Sequence, residues 1–118
     1  MKHYFLLFLC IPMFMWSQTP SETVTSLFSK KQYVKAITII QTELGKSPNN
    51  REFIEFLGDA YGYQEKWDEA IESYEKLVEM DDSNANYHYK YGGAMGMKAL
   101  LVNKFAALGL IGDIKDAF

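Results

Sequence analysis

The amino-acid sequence predicts an all-α fold of antiparallel helical hairpins, and three observations carry that prediction. Apolar residues recur at helical spacing through the chain after Thr19. Polar breaks containing Gly, Pro and Asn cut this pattern into short segments. The segments repeat at a fixed period of 34 residues.

The N-terminus differs in kind. Met1-Lys2-His3 is a short basic stretch, and Tyr4 to Trp16 runs without a charge before Ser17, Gln18, Thr19 and Pro20. A membrane span needs about 20 apolar residues. This shorter run, interrupted by Pro12, has the layout of a secretory signal peptide over residues 1–17, cut after Ser17. Met15 at the −3 position suits cleavage poorly, which leaves the cut site open, and an uncleaved anchor is the alternative. Cys10, the single cysteine, lies in this leader behind Phe8 and Leu9, without the small residue that lipoprotein processing wants before its cysteine. The mature chain then holds no thiol, as suits an oxidising compartment. The expectation is export to the periplasm or cell envelope.

Residues 18–118 are expected to form one domain of three units. In the first, 18–50, Thr19-Pro20-Ser21-Glu22 is a helix-start signal with Ser21 as N-cap. The first helix should run from about Glu22 to Ser29 on Val24, Leu27 and Phe28. Lys30-Lys31-Gln32 makes a turn into a second helix from Tyr33 to Leu44, ended by Gly45, with Ser47-Pro48-Asn49-Asn50 breaking the chain and capping the next helix. In the second unit, 51–84, Ile54, Leu57 and Tyr61 form one stripe, widened by Phe53, Phe56 and Ala60. Trp67, Ala70, Ile71, Tyr74, Leu77 and Val78 then follow i, i+3, i+4, i+7, i+10 and i+11, one face of a helix. A shift of 34 carries Trp67 to Tyr33, Ala70 to Ala36, Ile71 to Ile37, Tyr74 to Ile40 and Val78 to Leu44. Gly58 and Ala70 are small where the two helices of a hairpin must approach closely.

The third unit, 85–118, starts with a cap at Asp81-Asp82-Ser83-Asn84 and a helix from about Asn86. Tyr87, Tyr89 and Tyr91 alternate as in a strand, but the period and the following helix formers decide for a helix. His88 reads as a half-buried helix residue; the mature chain has no second His to share a metal with it. A turn is due near Ala99. Instead the apolar pattern continues through Leu100, Leu101, Val102, Phe105, Leu108, Leu110 and Ile111 before Gly112-Asp113. With Ile114 and Phe118 in the slots of Ala70 and Tyr74, this unit carries about ten extra residues, nearly three turns. Lys98, Asn103 and Lys104 argue against a membrane segment. Repeat arrays normally close on a polar capping helix, so the end at Phe118 reads as a C-terminal truncation, or as a place where a partner supplies the missing helix.

With these residues in view, the chain resembles the tetratricopeptide repeat family in its exported bacterial form. The family pattern W-x2-L-G-x2-Y…A-x3-F…P meets Ile54, Leu57, Gly58, Tyr61, Ala70, Tyr74 and Asp82. Ile54 and Asp82 depart from it, although Pro48 fills the Pro slot one repeat earlier. The resemblance implies a right-handed α-α superhelix whose first helices line a concave groove for peptides or protein segments. It assigns repeat-signature packing to Leu57, Gly58, Tyr61, Trp67, Ala70, Tyr74, Ala36 and Pro48. It places the groove-facing slots at Glu52, Glu55, Asp59, Gly62 and Tyr63, and at Asn86, Tyr89, Gly93, Gly96 and Met97. The members that clamp chaperone C-terminal carboxylates use Lys or Asn where this chain has Glu55 and Asp59, so that ligand class is excluded. A basic or hydrogen-bond-donating partner is expected instead, with a purely solubilising role for these acids as the alternative.

Composition narrows the remaining choices. The chain of 118 residues is 48% hydrophobic with a net charge of −3. Loss of Lys2 with the leader leaves 11 basic against 15 acidic residues, unclustered. Nucleic acid and anionic membrane surfaces are therefore poor partners, and membrane contact is expected only through an uncleaved leader. No nucleophile–base pair, metal-ligand spacing or phosphate-binding glycine loop is present after the leader, and Gly92-Gly93…Gly96 follows no strand. No cofactor and no metal are expected. The reading is a non-catalytic scaffold or adaptor for other proteins in the cell envelope. The alternative is an accessory helical-repeat domain of a larger enzyme or transport assembly.

Overall fold

A computed structural model describes residues 18–109, which form five helices: α1 (Pro20–Ser29), α2 (Tyr33–Lys46), α3 (Arg51–Tyr63), α4 (Trp67–Met80) and α5 (Ala85–Ala107). The expected leader, and the expected placement of Ile114 and Phe118, lie outside the described residues. Each helix packs on the next along the chain, and α1 also touches α3. The architecture is the all-α array of helical hairpins that the periodicity predicted.

The period of 34 is written into the backbone as well as the side chains. Lys31 and Glu65, one period apart, both adopt φ 59°. In each turn the next two backbone N–H groups reach back to the helix just finished: Lys31 to Phe28 and Gln32 to Leu27, then Glu65 to Gly62 and Lys66 to Tyr61. That double bond is the Schellman ending, whose left-handed residue is usually glycine because a Cβ is strained there. Glu65→Gly and Lys31→Gly are therefore expected to stabilise the fold by about 0.5–1 kcal/mol each, after the added chain entropy of glycine is subtracted. Urea denaturation midpoints check this, and a lowered midpoint in both variants would contradict it.

The caps follow the same rule. Asn50 and Asn84 stand one period apart at the N-caps of α3 and α5, their side chains accepting from the backbone N–H of Phe53 and Tyr87. Three expectations need correction. The cap of α1 is Thr19, not Ser21: Thr19 and Glu22 form a reciprocal capping box, and Pro20 takes the first helical position where its missing N–H costs nothing. Helix α2 does not stop at Leu44. It runs through Gly45 to Lys46, because one glycine weakens a helix by only about 1 kcal/mol and the break comes from Pro48, which disfavours helical geometry at Ser47 before it. Helix α5 ends at Ala107 rather than Ile111, where Leu108 caps it and Gly109 adopts φ 77°. At 23 residues against 13 in α3, α5 is the longest of the five described helices.

Two apolar clusters fill the layers. Val24, Ala36, Ile40, Phe53 and Ala60 close the first hairpin onto α3. Ile54, Ala70, Tyr74, Leu77, Tyr87 and Ala94 close the second onto α5. Ala36 and Ala70, Ile40 and Tyr74, Phe53 and Tyr87, and Ala60 and Ala94 are period mates, so one packing scheme is used twice. At the tightest crossing the two copies split the volume differently. The first uses Val24 with Ile40, both fully buried, and the second uses Gly58 with Tyr74. A Cβ built on Gly58 would meet the Tyr74 ring at 2.5 Å.

Candidate functional site

The first helices of the three hairpins, α1, α3 and α5, stand side by side, and the polar residues that α3 and α5 present toward each other form the candidate site. Among the described residues four side-chain hydrogen-bonded pairs join these neighbours, and three of the four span 31 residues. Ser21 donates its hydroxyl to Glu52; Asn86 donates to Glu55 at 3.2 Å; and Lys90 donates to Asp59 at 2.9 and 3.0 Å. Since 31 is one helical turn short of the period, each residue meets the next repeat one turn before its own equivalent.

Lys90 is the hub of this arrangement. Its ammonium also reaches Glu55 at 2.6 Å, and Asp59 accepts a second bond from the Tyr74 hydroxyl at 2.6 Å. The side chains of Lys90, Glu55 and Asp59 keep only 23%, 27% and 20% of their exposure, which raises the local strength of these charge-assisted bonds. Burial works against the charge on Lys90, but the hydrogen bonds and negative charge of Asp59 and Glu55 outweigh it and hold its pKa above the ordinary 10.5. Burial, followed by the bond to Asp59, pushes the Tyr74 phenol above its ordinary 10.0. Asp59 therefore links the groove surface to the core through one oxygen.

The other expected residues are placed as follows. Tyr63 is 57% exposed at the end of α3, stacked on Tyr33 with ring centres 5.0 Å apart and edge-on to Phe28 at 5.4 Å. Tyr89 projects from α5 at 79% exposure, and Met97 is exposed further along the same helix. Gly93 and Gly96 have open space around them, whereas Gly62 lies against Trp67. Leu57, Tyr61 and Trp67 are half-buried, Gly58, Ala70, Ala36 and Tyr74 are buried, and Pro48 is exposed. His88 is exposed, not half-buried, with Nε2 against the Asp82 carbonyl oxygen at 2.6 Å. A separate open cleft of about 350 Å³ between α2, α3 and α4 has an apolar floor of Leu44, Ile54, Leu57 and Tyr61.

The expectation that Glu55 and Asp59 offer bare carboxylates to a basic partner needs revision, because Lys90 already lies between them. Lys90 escaped the sequence reading because its period mate is Phe56, an apolar position. Searching for acid–base pairs 31 residues apart, rather than 34, would have found it.

A family model described as "TPR repeat" matches residues 58–98. Among curated proteins the chain is similar to the "Tetratricopeptide repeat protein 30 homolog" of Drosophila melanogaster, 27% identical over 96 residues that cover 81% of this chain and 14% of the relative. The protein of the same name from Drosophila pseudoobscura pseudoobscura matches with the same identity and coverage. The chain thus spans 14% of the length of these relatives.

Proposed function

Because the chain is a tetratricopeptide-repeat protein, we propose that it is a non-catalytic adaptor of the cell envelope that holds a segment of a partner protein against α3 and α5. Repeats of this kind serve as scaffolds for protein–protein contact, and the finer assignment rests on one observation. Beside the Glu55–Asp59–Lys90 cluster, whose geometry is held by bonds within the chain, Tyr89 stands out into solvent, and Tyr63 presents an exposed edge while its ring is held against Tyr33 and Phe28. Large, stiff aromatic side chains beside a preorganised polar surface give contact area at low entropy cost. With one lysine set against Glu55 and Asp59, and Glu52 accepting from the neutral Ser21 hydroxyl, the surface keeps an acidic bias. The preferred segment carries aromatic or basic side chains. The same surface would serve equally inside a longer assembly, the reading favoured by the small share of the relatives that this chain covers.

Export rests on the layout of residues 1–17. A photo-crosslinking amino acid at Tyr63 or Tyr89, in the full chain inside cells, is expected to trap one discrete partner, and at Glu75 on α4 none. Trapping equally at Glu75 would remove the groove assignment. The same cells should yield the protein outside the cytoplasm with a trimmed N-terminus; an intact Met1 and a cytoplasmic pool would remove the export assignment while leaving the adaptor reading in place.

A further inference from the structure

We propose that the cleft between α2, α3 and α4 receives an arginine side chain from a partner protein. The proposal is independent of the groove between α3 and α5 and of what binds there. The cleft, of about 350 Å³, has two unlike walls. Leu57 and Tyr61 of α3 belong to its apolar floor, and Glu69, Glu72, Ser73 and Lys76 form a polar wall on α4. Those four fall at i, i+3, i+4 and i+7, so a single stripe of α4 faces the floor.

Ser73 distinguishes this wall from ordinary surface charge. It is only 8% exposed, yet its hydroxyl finds no partner within the described chain. The hydroxyls of α2 bond back to the carbonyl one turn earlier, Thr38 to Val34 and Thr42 to Thr38. A serine in a helix can do the same, and Ser73 does not. Among the described residues no fully enclosed side-chain polar atom lacks a partner, so the Ser73 hydroxyl opens into the cleft that it lines. Its period mate is Ile39, which packs against the first apolar cluster. A hydroxyl in that position gains nothing from burial until a group from outside the chain bonds to it.

The charges select the occupant. Glu69 and Glu72 are exposed, stand one turn apart and enter no ion pair among the described residues, so their like charges repel. Lys76 is drawn to the opposite end of the cleft, where it donates to the Pro48 carbonyl at 3.3 Å. The end beside Tyr61 is left with two carboxylates and a hydroxyl oxygen. A guanidinium suits that set, because its planar fork serves several acceptors at once and stacks on an aromatic face. The apolar stem of the same side chain covers Leu57 on the floor. A lysine would bring a single compact and strongly hydrated charge instead. The 118 residues contain one arginine, Arg51, which is bonded to the Met80 carbonyl and paired with Asp81. Neither a second copy nor another part of this chain therefore brings a free arginine, and the side chain belongs to a different protein.

Titration of the isotope-labelled full chain with N-acetyl-arginine amide, followed by NMR, is expected to give saturable shifts at Leu57, Glu69, Glu72 and Ser73. The dissociation constant should be about 1–10 mM, the range open to so small a ligand. N-acetyl-citrulline amide, an uncharged isostere, should bind at least about tenfold more weakly. Ser73→Ala, and Glu69→Gln combined with Glu72→Gln, should each weaken binding at least about threefold with the melting curve kept. Glu75→Gln combined with Glu79→Gln makes the same change in net charge outside the cleft and should leave binding as it is. An equal loss in that control would reduce the effect to net charge and overturn the proposal. Equal binding of the citrulline compound, or no saturable shift in the cleft, also overturns it. Shifts confined to Glu55, Asp59 and Lys90 would give the arginine to the groove, overturning this proposal while leaving the adaptor reading in place. Cleft shifts that follow protein concentration, or removal of residues 1–17, in place of the probe would assign the cleft to a second copy or to the chain's own N-terminus, and overturn it too.

Discussion

Gly58→Leu is expected to lower the melting temperature on the order of 12–24 °C, from a loss of about 3 kcal/mol or more in a domain of this size. The cause is local and steric. A single added Cβ already falls 2.5 Å from Cε1, 2.8 Å from Cδ1 and 2.9 Å from Cζ of Tyr74, and the isobutyl group must enter the same ring. The ring cannot swing aside, since Tyr74 is buried and its hydroxyl is bonded to Asp59 at 2.6 Å. Gly58→Ala should cost about 1 kcal/mol, because the clash exceeds the gain in helix propensity. The first repeat supplies the rescue: Gly58→Val combined with Tyr74→Ile copies Val24 and Ile40, which fill the equivalent crossing. Thermal melts of the single and double variants should show a coupling of about 1–3 kcal/mol, and additive losses would mean that Gly58 and Tyr74 do not share the crossing.

Lys90→Met should cost about 2 kcal/mol, between the value of an exposed ion pair and that of a fully buried one. Methionine keeps the apolar stem but leaves Glu55 and Asp59 facing each other across the space from which the ammonium has gone. A loss below about 0.5 kcal/mol in urea titrations would show the cluster to be mere surface charge. The network also sets the alkaline limit of the fold. Lys90 and Tyr74 both hold their protons more tightly in the native state than at their ordinary pKa values of 10.5 and 10.0. The native state therefore binds more protons than the unfolded chain once pH passes about 10. Stability from these two groups is full below that pH and declines above it by up to about 1.4 kcal/mol per pH unit for each group. Urea midpoints between about pH 8 and 11.5 should be flat and then fall. Tyr74→Phe, which cannot ionise, should fall less steeply; an unchanged slope would place the alkaline sensitivity elsewhere.

The alternation of Tyr87, Tyr89 and Tyr91 shows how local pattern and period can disagree. The period prevailed: Tyr87 is buried, Tyr91 half-buried and Tyr89 exposed, as one face of a helix requires. Helix caps were legible to within two residues, because Asn50 and Asn84 act on backbone groups three positions away. Thr19 displaced Ser21 only because a proline follows it. The candidate site was legible in its acids and aromatic residues but not in its hub. Lys90 shows no local sign of its role; its partners stand 31 and 35 residues upstream.

From the sequence alone came the helices, the repeat of 34 and the core positions, since each depends on residues that are neighbours along the chain or on one helix face. The tertiary structure decided which charges are neutralised, and which glycine is filled and which left open. Those depend on the stagger between neighbouring helices, a turn short of the period, which periodicity within a single helix does not encode.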